Sequence, residues 1–133
     1  MYSDSTFYAA QFKALPFLLG RKMRYVIRVN PKADWLRLPD AGREAILAHE
    51  LCHVVYYTQG KRIRLLSLAQ LLAGGYRSRF ERSTDLEAIR RGYGSGLKEY
   101  RHWLYLSIPS KALTRKKKDY LTPEEIDEAA AHR

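Results

Sequence analysis

His49-Glu50-Leu51-Cys52-His53 is the stretch of this chain with the clearest chemical potential. Residues four apart on an α-helix share a face, so His49 and His53 can aim two imidazoles at one metal ion while Glu50 stands beside them. The chemistry such a group performs is hydrolysis: the ion polarises a carbonyl and acidifies a water, and the carboxylate takes the water's proton. Two side chains do not complete a catalytic zinc site, which takes three protein ligands and keeps a fourth position open. The third ligand has to come from elsewhere in the chain.

A histidine six residues beyond His53 would extend the motif to the metzincin pattern, but Tyr56 stands where that pattern needs glycine and Gln59 where it needs histidine. Two alternatives remain. In Phe80-Glu81-Arg82-Ser83-Thr84-Asp85, a helix would put Glu81 and Asp85 on one face. One carboxylate could then bind metal and the other accept a hydrogen bond from a ligating imidazole. The second alternative is His102, in Tyr100-Arg101-His102-Trp103.

The pairing of His49-Glu50-x-x-His53 with Glu81-x-x-Thr84-Asp85-x-x-Ala88 resembles the gluzincin metallopeptidases. It is similar both to the thermolysin-type E-x-x-[ST]-D segment and to the E-x-x-A-D-x-x-A segment of the CAAX-processing and minigluzincin branches, with Thr84 in place of the alanine. The resemblance covers about a third of the chain. It implies zinc ligands at His49, His53 and Glu81, Glu50 as general base, and Asp85 as the partner of a ligating histidine, His49 in the first place. A three-histidine site with His102 would instead look like the Spartan-like proteases, which carry their third histidine closer to the motif and rank second for that reason. Tyr120 to Ile126, Tyr-Leu-Thr-Pro-Glu-Glu-Ile, also resembles the ends of small bacterial H-E-L-x-H proteins, a likeness that implies no substrate.

These residues need elements to hold them. Asp40 as N-cap and Gly60 as stop predict a helix from about Ala41 to Thr58, with Ile46, His49, Val54 and Tyr57 toward the inside and Arg43 and Glu44 toward water. The Glu81 segment is expected to be helical, preceded by a mostly buried helix over Ile63 to Leu72. Gly92, Gly94 and Gly96 are expected to break the chain before a helix over Leu97 to Ile108. Upstream, Tyr2 to Leu19 has a loosely helical pattern ended by Gly20. Arg24 to Asn30 alternates as a strand does, and after the Asn30-Pro31 turn Trp35 to Leu38 reads as its returning partner. Arg115 to Lys118 reads as an exposed basic linker within 111–133, and Thr122-Pro123-Glu124-Glu125 as a capping box opening a last helix or tail. The fold class expected is α+β and zincin-like: one domain over 1–133, mainly helical, with a small sheet or hairpin packed on the His49 helix.

Composition agrees with one globular unit. The chain has 133 residues, 46% of them hydrophobic, enough to bury a core. Its one cysteine, Cys52, permits no internal disulfide and fits a reducing compartment; inside the motif it lies on a different face from the histidines and reads as packing. The longest apolar segment, Leu65 to Gly75, is too short to span a bilayer, and no secretory signal is evident, so a cytoplasmic protein is expected. The net charge of +10 and ten tyrosines raise an anionic partner, nucleic acid or membrane surface. No aromatic RNP strand or zinc-finger spacing accompanies them, and a solvated basic surface is the first reading.

The expectation is therefore a zinc metallopeptidase acting on a peptide or protein substrate, with Glu50 as base. The oxyanion donor is sought among Tyr93, Tyr100, Arg101, His102 and Tyr105, with His102 and Tyr100 preferred. The alternatives are a non-catalytic zinc module that binds nucleic acid or another anion, and a peptidase held latent by one of its own ends.

Overall fold

The computed structural model of the protein describes residues 6–12, 24–59 and 75–132. Strands β1 (Tyr8–Phe12) and β2 (Tyr25–Val29) pair antiparallel with Ala10 opposite Ile27. After them come α1 (Lys32–Trp35), α2 (Asp40–Gln59), α3 (Tyr76–Ala88), α4 (Gly94–Ser107), α5 (Ser110–Asp119) and α6 (Pro123–Ala131). A π-helical turn, Ile89–Tyr93, joins α3 to α4. The described chain is α+β, mainly helical with a two-stranded sheet.

Helix α2 is the axis of the molecule. It begins where the Pro39 carbonyl accepts from the Arg43 N–H, and it runs within one residue of its expected span at each end. Ala45, Ile46, His49, Cys52 and His53 are buried while Glu44 and Leu51 face water, so one face of the helix carries both core and motif. Helix α4 lies against it at unusually short range. A Cβ on Gly96 would press on the Ala41 carbonyl and come 2.9 Å from Ala45 Cβ, and one on Gly42 would come 3.2 Å from Tyr100 Cα. Only glycine lets these two backbones approach so closely.

Two apolar clusters flank this crossing. Phe7, Tyr8, Leu38, Ile46, Tyr100, Trp103 and Leu104 fill one side, where Phe7 meets Trp103 edge to face at 4.8 Å and the Trp103 indole donates to the Leu36 carbonyl at 2.7 Å. Ala45, Ile89, Leu97, Leu121 and Ile126 fill the other. Helix α6 is held at its start by the expected capping box, with Thr122 and Glu125 each accepting from the other's backbone N–H.

Four local expectations change. Within Tyr2 to Leu19, read as helical, residues 8–12 form β1. The pairing with β2 and the burial of Phe7 and Tyr8 outweigh a weak helical pattern. The proposed strand Trp35 to Leu38 begins in a helical turn instead: Asn30 Oδ1 accepts from the Lys32 N–H and the Asn30 carbonyl from Ala33, so the Asn-Pro turn starts α1. Of the three glycines expected to break the chain, only Gly92 does so, at φ 99°; Gly94 and Gly96 lie inside α4. The basic run Arg115 to Lys118 is not a linker but part of α5, whose Ala112, Leu113, Lys116 and Asp119 turn inward. The helix expected over Ile63 to Leu72 lies outside the described residues.

Candidate metal centre

Two helices and two i, i+4 pairs build the site. From α2 come His49 and His53; from α3 come Glu81 and Asp85. His49 Nε2 lies 3.2 Å from His53 Nε2 and 3.2 Å from Glu81 Oε2, and His53 Nε2 lies 3.0 Å from the same oxygen. Three donor atoms thus converge on one point. Ligands about 2.0 Å from a tetrahedral zinc are separated by about 3.3 Å, so this triangle is close to the size that ion requires.

The opposite ring nitrogens are held from behind by adjacent residues. His49 Nδ1 lies 2.8 Å from Asp85 Oδ1, a short approach that is bent from the ring N–H direction. The Thr84 hydroxyl donates to the Phe80 carbonyl at 2.9 Å, which turns an oxygen lone pair toward His53 Nδ1 at a long 3.5 Å. With Nδ1 of each ring facing an acceptor, each Nε2 is left for a metal. Phe80 stacks on the His53 ring with centroids 5.0 Å apart. Thr84, the departure from one branch's alanine, therefore has a place of its own behind the second histidine.

Asp85 is fully buried and fully engaged. Arg101 Nη2 reaches its two oxygens at 2.9 and 2.8 Å, and the Leu121 N–H donates to Oδ2 at 2.9 Å. Arg101, itself buried, also donates from Nε to the Leu121 carbonyl at 3.0 Å. Burial works against the Asp85 carboxylate, but Arg101, His49 and the Leu121 N–H hold its pKa below the ordinary value. Glu81 is lowered in the same way, its burial outweighed by hydrogen bonds from both histidines. At His49 burial opposes the imidazolium, yet Asp85, Glu81 and Glu50 outweigh it and raise the pKa to about 10.

Three carboxylates, Glu50, Glu81 and Asp85, lie at or beside the cluster with Arg101 on Asp85, a local excess of negative charge that would favour a divalent cation. Two imidazoles and a carboxylate are also the donor set that zinc takes in hydrolytic sites. The residues present fit zinc in spacing, donor type and charge.

Glu50 sits beside the cluster and outside it. It is buried, and its Oε2 accepts from the Ala10 N–H at 2.7 Å. Asn30 donates to the Phe7 carbonyl across the sheet, so alternation turns the Ala10 N–H away from β2 and toward α2. That edge of β1, unpaired by any strand among the described residues, therefore runs past Glu50.

Of the expected donors, none joins the three-atom cluster. His102 is exposed on the outer face of α4. Tyr100 is buried in the core against Trp103, its hydroxyl pKa raised by burial. Tyr93 packs on the second apolar cluster, and the Tyr105 ring lies under Lys117. Arg101 serves Asp85. Cys52 lines a groove of about 360 Å³ with Val55, Tyr56 and Phe80, on the Thr84 side of His53, and takes no part in the cluster.

Tyr120, which the sequence reading did not select, lies beside the cluster. Its ring lies 6.0 Å from that of His49, and Arg101 caps it at 4.8 Å. Burial, then the charges of Glu81 and Glu50, raise its hydroxyl well above the ordinary value, so it keeps its proton and remains a donor. Beside it stands Lys116, whose ammonium is 5.1 Å over the Tyr120 ring and is pulled down to about 8 by burial and by Arg101 and Arg77. The Tyr-Leu-Thr-Pro segment was the available signal, since it runs into the capping box at Thr122. No family model, curated protein or solved structure matches this chain.

Proposed function

We propose that the protein is a zinc-dependent metallopeptidase of zincin-like fold, with His49, His53 and Glu81 as ligands. The observation that supports this reading most is the convergence of two Nε2 atoms and one Oε2 within 3.2 Å of one another, each imidazole backed by its own acceptor. The resemblance of the two motifs to gluzincins points the same way. A zinc ion held there supplies Lewis acidity and brings the pKa of a bound water toward 7.

The remaining work falls to this chain's own residues. Glu50 accepts the proton of the attacking water and returns it to the leaving nitrogen, with the Ala10 N–H holding one of its oxygens. Tyr120, kept protonated among carboxylates, donates to the oxyanion that forms at the scissile carbonyl. Asp85 and Thr84 hold the two rings in their metal-facing tautomers. The free, buried Cys52 suits a reducing compartment, and we take the cytoplasm as the setting. Among the described residues no helix is long and apolar enough to cross a membrane.

The test is zinc binding and cleavage of a broad peptide library by wild type and Glu50→Gln. Wild type should bind one zinc and cleave; Glu50→Gln should keep the zinc and lose cleavage. Failure to take up zinc, or equal cleavage by the variant, defeats the reading. The exposed Arg115, Lys117 and Lys118 on α5 favour a second reading, a zinc module for an anionic partner. Salt-dependent nucleic-acid binding without peptide cleavage would select it.

A further inference from the structure

Two partly buried cations stand on the Tyr120 side of the cluster without an ion pair among the described residues. Arg77 precedes Glu81 by one turn on α3, so the two share a face. Lys116 approaches from α5, over the ring of Tyr120. Among the described residues neither makes an ion pair. Glu81 and Asp119 attract Lys116 from a distance, but each nearby carboxylate makes its direct contacts elsewhere: Glu81 with the two histidines, Glu50 with the Ala10 N–H, Asp85 with Arg101, Asp119 with Ser78 at 2.7 Å and Arg115 at 3.7 Å. A divalent ion would neutralise the buried negative charge of the centre and leave these two cations uncompensated. Holding like charges together, partly removed from water, is costly unless an anion arrives to join them. The depressed ammonium of Lys116 agrees with this, since burial and the guanidinium of Arg77 both act against its charge.

We infer that Lys116 and Arg77 form a carboxylate-binding subsite next to the scissile position, so that the peptide cut is one presenting a carboxylate just beyond the metal. That carboxylate comes from the C-terminus or from an acidic side chain. The subsite deepens the peptidase reading and rests on it for its location. Guanidinium supplies a planar pair of donors to such a group, and the ammonium a point charge that swings on its stem.

The experiment measures peptide binding by zinc-supplemented Glu50→Gln protein, which removes turnover from the readout. One peptide sequence is offered as free C-terminal acid, as C-terminal amide, and as amide with an internal Glu or Gln. A charge-assisted contact should make the acid bind about tenfold or more tightly than the amide. If the internal Glu in the amide peptide restores the affinity, the side chain is the source; if only the free acid binds well, the C-terminus is. Lys116→Met and Arg77→Met should each reduce the preference, Lys116→Arg should retain it, and Lys118→Met, on the exposed face of α5, should leave it unchanged. Equal affinity for acid and amide, equal absence of binding included, overturns the inference, as does a preference that survives Lys116→Met/Arg77→Met. Acid preference without cleavage by wild type would defeat the peptidase reading alone, and cleavage indifferent to carboxylates would defeat the subsite alone.

Discussion

Arg101→Met is the substitution whose outcome the structure determines most directly. The methionine fills much of the arginine stem and supplies none of its donors. Three contacts go: Nη2 to the two oxygens of Asp85 and Nε to the Leu121 carbonyl, with the Arg101 and Asp85 side chains no more than 1% exposed. Asp85 keeps His49 and the Leu121 N–H, but loses the full charge that offsets its burial. Stranding one member of a buried ion pair costs about 3–5 kcal/mol. Loss of the guanidinium from the Tyr120 ring, 4.8 Å away, adds about 1 kcal/mol. A domain of this size has about 5–15 kcal/mol in all, so a third or more of its stability should vanish in urea titrations of the metal-free protein. Asp85→Asn removes the other charge and should cost a comparable amount. Because each single variant strands a partner, Asp85→Asn/Arg101→Met should fall short of the sum of the two by about 1–3 kcal/mol. A cost below about 1 kcal/mol for Arg101→Met, or additivity within about 0.5 kcal/mol, would refute the view that these groups form one unit.

Other outcomes follow from the same geometry. Gly96→Ala should destabilise by about 1–3 kcal/mol or more in urea, because its Cβ meets the α2 backbone, whereas Gly75→Ala, with open space around it, should be neutral or slightly stabilising. Tyr120→Phe should lower kcat by about 10²–10³ with zinc still bound, and His102→Ala should leave it unchanged; the reverse pattern would assign the oxyanion donor to α4. In metal-free protein the raised pKa of His49 contributes stability that is complete below about 6.5 and lost as the pH rises through about 10, because the folded state keeps a proton that the unfolded chain releases. Between about pH 6.5 and 8, before the depressed pKa of Lys116 acts in the opposite sense, the melting temperature should fall without zinc and stay nearly flat with it. A metal-free melting temperature that rises over that range contradicts the electrostatics assigned to His49.

The legible parts of this protein were those encoded within a few residues of one another. His49 with His53 and Glu81 with Asp85 are helical repeats, and the structure brings the two pairs together at hydrogen-bond distance. The capping box at Thr122 is likewise local and was readable in full. What escaped depends on contacts between distant segments. Strand β1 exists because β2 pairs with it, and nothing inside Tyr8-Ala9-Ala10-Gln11-Phe12 demands extension. The lysine run of α5 looked like a solvated linker because its charge hid the inward spacing of Ala112, Leu113, Lys116 and Asp119. The search for an oxyanion donor followed the chain just past Glu81, where His102 turns out to face water. Tyr120 is held beside the cluster by residues distant in sequence: Arg82 donates to its carbonyl, and Asp85 and Arg101 pin the neighbouring Leu121.

That pinning also sets a timetable for synthesis. All three residues of the His49–His53–Glu81 cluster are made by residue 81, yet the strap that holds Asp85 in register arrives with Leu121, 36 residues after Asp85 itself. At about 5–20 residues per second the ribosome needs about 2–7 s to cover that interval. During it Asp85 lacks the Leu121 N–H, one of the contacts that hold it behind His49. In the peptidase reading proposed above, the site would be complete only when nearly all of the described fold has emerged.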